Sequence, residues 1–178
     1  MDKLLFESVE QQCKYHAINC HKMILHKYDD IYDYDYHLKM VREIGEFFIE
    51  YIPDKYCDVV FAAIYEHDTL EDCDMICSVM DLRRINYHVS IIVEAVTTGK
   101  GTRKERFSDD YYKGIKKEEF ATFVKLCDRI ANVRQSGFIN KKPIFDMYKK
   151  EYEHFKEMLY VPDEYEKMWS LLDYLMSK

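Results

Sequence analysis

Glycine and proline are scarce, with five and three in 178 residues. So little punctuation excludes a fold of many short strands joined by tight turns and leaves helices as the default. No apolar run approaches the roughly 20 residues needed to cross a bilayer. The opening "MDKLLFESVEQQCK" lacks the basic, apolar, small-residue order of a secretory leader, so a soluble, cytoplasmic protein is expected. No CxxC pair occurs among Cys13, Cys20, Cys57, Cys73, Cys77 and Cys127. They read as reduced, half-buried small hydrophobes. Cys73 and Cys77 stand one helical turn apart, without the second pair that zinc-site spacing calls for. A continuous basic stripe is also missing and the net charge is −7, which argues against a nucleic-acid polymer as partner.

What is present points to one helical domain spanning residues 1–178. Hydrophobic residues make up 48% of the chain, enough for a proper core, and sixteen tyrosines suit its amphipathic edges. The apolar periodicity is helical from end to end and predicts an all-α bundle of eight or nine helices. The first covers 3–26, with Leu4, Leu5, Val9, Ile18 and Ile24 among its apolar positions. The second, 36–52, is capped by Asp33 or Asp35 and stops before Pro53. Others are expected over about 55–70, 74–83, 86–98, 109–114 and 117–135. Pro143 starts one that runs to about 159, and Pro162–Asp163 open the last, which holds Trp169. Residues 27–33, "KYDDIYD", read as a loop. So do residues 99–108, where "GKGTRKERF" sets Lys100, Arg103, Lys104 and Arg106 against the single acid Glu105. That patch suits a small anion; a solvated loop is the plainer alternative.

The stretch "AAIYEHDTLEDC", Ala62 to Cys73, packs His67, Asp68, Glu71 and Asp72 into six positions. With His37 at the start of the second helix and Asp128 in the long one, two imidazoles and two carboxylates can hold one divalent ion. Mixed N and O donors suit manganese or iron, with zinc as a further candidate and no thiolate implied. A water at such an ion gives up its proton more readily than in bulk and serves as nucleophile. Asp128 sits among Phe123, Val124, Leu126, Ile130 and Val133, so its carboxylate needs a partner, either Lys125, Arg129, Arg134 or a metal. Glu71 lies one turn after His67, and Asp72 one turn after Asp68. Beside an ion they can orient water and donate a proton; the bland reading is four helix-end charges in solvent.

Three segments, "YDYHLKMV", "EHDTLEDC" and "VKLCDRIANVR", resemble those of HD-domain hydrolases. The likeness is nearest to the hydrolase half of RelA/SpoT proteins and the stand-alone small alarmone hydrolases, over roughly residues 5–155. It implies an all-helical HD fold with one manganese ion on His37, His67, Asp68 and Asp128. It implies removal of the 3′-diphosphate from guanosine tetra- or pentaphosphate, with Glu71 and Asp72 activating water and moving the proton. Asn132 then aligns with a ribose contact, and Lys100, Arg103, Lys104 and Arg106 with phosphate contacts. His26-Lys27 stands where the family has an Arg-Lys pair around the purine, and Tyr152 falls near the family's C-terminal tyrosine, its arginine partner being Tyr148 here. Histidine lacks the guanidinium fork, which opens the base preference. His37-Leu38 replaces a common His-Pro. Only His88 lies between the His-Asp pair and Asp128, favouring one metal over two. With no synthetase segment in the sequence, degradation alone is expected. Two alternatives keep the residues and change the outcome: an NADPH 2′-phosphatase, and a module that binds a nucleotide without cleaving it.

Overall fold

Ser8 accepts a backbone hydrogen bond from Gln11 and so starts the first helix, α1 (Val9–Met23), in a computed structural model that describes residues 6–138 and 142–178. The expected earlier start, with Leu4 and Leu5, lies outside the described residues. Where a loop was expected, the chain forms a small antiparallel hairpin, β1 (Lys27–Tyr28) with β2 (Tyr32–Asp33). Its reversal uses Asp29 and Asp30 at φ of 57° and 62°, a conformation short polar side chains tolerate. Neither expected aspartate caps the next helix, α2 (Asp35–Phe47): Tyr34 holds the cap position, Asp33 pairs with Lys27, and Asp35 with Lys39. Short 3-10 turns at Ile49–Tyr51 and Asp54–Tyr56 flank Pro53.

The helix expected over 55–70 is two pieces. α3 (Cys57–Glu66) ends at the His67–Asp68 pair, and a single turn, α4 (Thr69–Asp72), follows. Next come α5 (Val79–Ile85) and α6 (Tyr87–Val96), then α7 (Arg103–Arg106), one turn inside the supposed basic loop. Thr102 and Glu105 form a reciprocal capping box that explains this turn. α8 (Asp109–Lys117), α9 (Ala121–Phe138) and α10 (Lys142–Leu159) follow. The last helix, α11 (Glu166–Met176), starts four residues past Pro162, because Asp163 and Tyr165 take left-handed backbone angles of 69° and 54°. The all-α class is as expected, and among the described residues two of the eleven α-helical segments are single turns.

Two helices hold the bundle together. α3 packs against α1, α2, α6 and α9, and seven of its ten residues are buried, so it is apolar on nearly every side. α9 packs against α2, α3, α6, α8, α10 and α11 and buries thirteen of its eighteen residues. Each large aliphatic side chain buried there, such as Leu126 or Ile130, contributes roughly 2–3 kcal/mol. Trp169 of α11 closes one end, its ring 5.7 Å from that of Phe155. Among the described residues no helix is long and apolar enough to cross a membrane.

Gly45 sets how closely α2 approaches α3. A Cβ built there would lie 2.6 Å from Ile64 Cδ1 and 3.1 Å from Phe61 Cε1, both buried. Gly45→Val should overpack this contact and destabilise the fold by about 1–3 kcal/mol. The check is urea unfolding, with a lower midpoint at unchanged slope.

Candidate metal centre and anion cleft

His67 is fixed by the helix it ends. Its Nδ1–H donates to the Ile64 carbonyl at 2.8 Å, satisfying an acceptor of the last turn and turning Nε2 inward. His37 is the third residue of α2, its ring stacked on Tyr28 of the hairpin at 4.8 Å and 10°. Its Nε2 faces His67 Nε2 at 3.2 Å, while Nδ1 is buried without a hydrogen-bond partner. Asp68 Oδ2 lies 2.8 Å from His67 Nε2 and 3.4 Å from His37 Nε2, and accepts from the Tyr34 hydroxyl. Asp128 Oδ1, from the middle of α9, lies 3.5 Å from His37 Nε2 and 3.7 Å from His67 Nε2. Elements far apart in sequence thus bring donor atoms of His37, His67 and Asp128 within 4.8 Å of one another, with Asp68 beside the two imidazoles.

These separations, 2.8 to 3.7 Å, bracket the spacing of about 3.0–3.4 Å that bonds of about 2.1 Å at angles between square and tetrahedral put between donors. Two imidazole nitrogens facing each other, with carboxylate oxygens beside both, offer lone pairs that a cation between them would engage. Two nitrogens and two carboxylates, with no sulfur, form a donor set for a divalent ion.

Asp128 is nearly buried, and so are Lys125 and Arg129. Burial alone would raise its carboxyl, yet the Lys125 ammonium at 2.9 Å and then the two imidazoles hold it well below the usual carboxylate range. Of the three cations considered from sequence, Lys125 is the one on Asp128; Arg129 pairs with Glu151, and Arg134 lines a different surface pocket. Asn132 donates to Asp128 Oδ1 and accepts from the Tyr28 hydroxyl at 3.0 Å. Its amide therefore braces the carboxylate as well as facing the cleft.

The cluster forms the floor of a cleft of about 260 Å³. Glu71 and Asp72 stand on its wall, as their spacing suggested. Glu71 accepts from the Thr98 hydroxyl at 2.6 Å and pairs with Arg106, whose Nε donates to Thr98. Burial first and the Asp68 charge second push the Asp72 carboxyl up to about 7, and His26 Nδ1 lies 3.5 Å from it. His26 and His21 both stack against Tyr34, at 4.2 and 4.0 Å, with their own Nδ1 atoms 3.1 Å apart. Lys27, Arg103, Arg106, Lys125 and Arg129 also line the cleft, so in a protein of net charge −7 five cations gather against the four acids Asp68, Glu71, Asp72 and Asp128. A larger groove of about 610 Å³ shares Arg103 and Phe107 with it.

Three expected substrate contacts lie elsewhere. Lys100 is exposed and pairs with Asp74 at 2.7 Å, because it precedes the capped turn instead of belonging to it. Lys104 lines only the adjoining groove. Tyr152 is buried beneath α11 with its hydroxyl on Asp173, while Tyr148, one turn earlier, reaches the cleft. Sequence reasoning passed over Lys125 and Arg129 as cleft residues, yet a signal was there. Lys125, Asp128, Arg129 and Asn132 follow the i, i+3, i+4, i+7 rule, a polar stripe along an apolar helix.

No family model matches the chain, and no curated protein matches it. Among solved structures, that of a metazoan ortholog of SpoT reported to hydrolyse ppGpp aligns with a TM-score of 0.76. The alignment spans 98% of this chain and 97% of that one, at 21% identity. The chain shares its fold. In this SpoT-like fold the His67–Asp68 break, the start of α2 and the middle of α9 meet at the cleft floor. The Asp128–Asn132 bond carries a consequence there. Asn132→Ala should weaken divalent-ion binding about 10- to 100-fold by releasing Asp128 from its brace. Calorimetric titration of metal-stripped protein reads this, and an unaltered affinity would contradict it.

Proposed function

We propose that the protein is a metal-dependent hydrolase that removes the 3′-diphosphate from guanosine tetra- or pentaphosphate, releasing pyrophosphate. The observation that carries the reading is the His37–His67–Asp128 cluster, with Asp68 beside it, in one cleft with two acids and with arginine and lysine side chains. A nucleotide bearing two phosphate groups at its 3′ position presents the complementary charge. The fold adds support, since the metazoan SpoT ortholog that shares it is reported to hydrolyse ppGpp.

His37, His67, Asp68 and Asp128 would hold the ion, and their nitrogen and oxygen donors suit manganese. When bound, the ion supplies an activated water near neutral pH. The remaining work falls to the protein. Arg103, Arg106, Lys125 and Arg129 bind the 3′-diphosphate and offset the negative charge that grows as the P–O bond breaks. Glu71, kept in place by Thr98 and Arg106, accepts a hydrogen bond from the attacking water and orients it. Asp72, its carboxyl pushed up by burial first, gives a proton to the departing 3′-oxygen. Tyr28 and His26, which line the cleft, offer ring faces for a base.

The test is pyrophosphate release from guanosine tetraphosphate with manganese, run beside NADPH. Asp72→Asn and Glu71→Gln should each lower kcat by about 10²- to 10⁴-fold with bound metal unchanged. Phosphate release from NADPH in place of pyrophosphate would move the substrate to a 2′-phosphorylated dinucleotide. Folded, manganese-loaded protein that binds guanosine tetraphosphate without turnover would leave a nucleotide-binding module instead.

A further inference from the structure

A second group of ligating side chains lies outside the cleft. His16 and Cys20 are one turn apart on α1 and so face the same way. Cys77 belongs to the turn between α4 and α5. The His16 nitrogen and the two sulfurs lie within 4.8 Å of one another, and none of the three residues lines the cleft. Cys20 and Cys77 are buried at 6% and 4% exposure, and both are free thiols. The pair that the sequence set side by side, Cys73 and Cys77, is not the pair that meets here. Cys73 Sγ turns to His21 Nδ1, 3.6 Å away.

Two features distinguish this group from an ordinary packing contact. First, His16 Nε2 and Cys20 Sγ are 3.6 Å apart. Bonds of about 2.3 Å to sulfur and 2.05 Å to nitrogen, at the tetrahedral angle, separate S and N by about 3.6 Å. Second, the other imidazole nitrogen is engaged. His16 Nδ1 lies 2.8 Å from Oε1 of Glu66, a carboxylate with no solvent exposure whose Oε2 accepts no hydrogen bond. A carboxylate behind a ligating histidine fixes the tautomer and aims the free nitrogen at the ion. Access is provided as well: a groove of about 490 Å³ is lined by Tyr15, His16, Asn19, Cys20 and Met23.

We propose that His16, Cys20 and Cys77 form a second cation site, selective for a zinc-class divalent ion, with its fourth position open to water from the groove. Loading exchanges the two thiol protons for the cation and needs no redox partner. The bound ion ties α1 to the turn that follows Glu71 and Asp72. Its sulfur donors separate it chemically from the His37–Asp128 centre, which has none.

Cobalt reads the two sites apart, because only a thiolate ligand gives a strong near-ultraviolet charge-transfer band. The full chain, stripped of metal and kept reduced, is titrated with Co²⁺. Wild type is expected to develop that band with saturation at a single site. Cys20→Ser and Cys77→Ser should lose it, while Cys73→Ser and Asp128→Asn keep it, with circular dichroism reporting that each variant is folded. His16→Gln changes a partly exposed residue and should weaken the cobalt affinity of this site at least about tenfold. A folded wild type without the band would overturn the proposal, as would a full band in folded Cys20→Ser or Cys77→Ser, or an unaltered affinity in His16→Gln.

Discussion

A carboxylate in the middle of the most enclosed helix is the constraint around which the rest is arranged. Asp128 has apolar neighbours on α9, and a charge there without compensation would cost several kcal/mol. Lys125 answers it directly, Asn132 donates to it, and two imidazoles converge on its free edge. Those imidazoles come from α2 and from the end of α3, so satisfying one buried charge fixes the approach of three helices. The bare glycine face at Gly45 permits the same approach from the apolar side.

The basic side chains of the cleft are set by local pairing with acids. Arg103 and Arg129 share Glu151, and Arg106 shares Glu71 with Thr98. Each guanidinium is therefore held in a set direction while retaining donors for an anion, since its fork carries five N–H groups. Preset donors spare a ligand part of the ordering cost that flexible surface lysines would impose. Lys100, out in solvent against Asp74, is such a lysine.

Most of the helical layout was legible in the sequence, and so were the residues that meet at the cleft floor, for specific reasons. His67–Asp68 was legible because two polar residues end an apolar run, and Asp128 because it interrupts another. The break between α3 and α4 was hidden, because the residues on both sides are acceptable helix formers and His67 closes the helix with its own ring. The hairpin was hidden in "KYDDIYD", whose paired aspartates signal a reversal without revealing that the flanking residues form a ladder. Thr102 and Glu105 spelled out a capping box that charge counting obscured. Tyr152 was chosen over Tyr148 because the face a helix turns inward depends on its rotation, which a single spacing does not fix. Cys20 and Cys77 meet only through the tertiary fold, and no local spacing announces that.

The two inward histidines are not equivalent. His67 is latched by a carbonyl, which fixes its tautomer whatever else is nearby. His37 is held by the flat ring of Tyr28, a contact indifferent to where the proton sits, and its second nitrogen answers to nothing. One imidazole is thus a fixed jaw and the other a compliant one, and the compliance rests on a tyrosine from a two-rung hairpin. Small changes in that ribbon would retune the grip on an ion while the helical frame stays as it is.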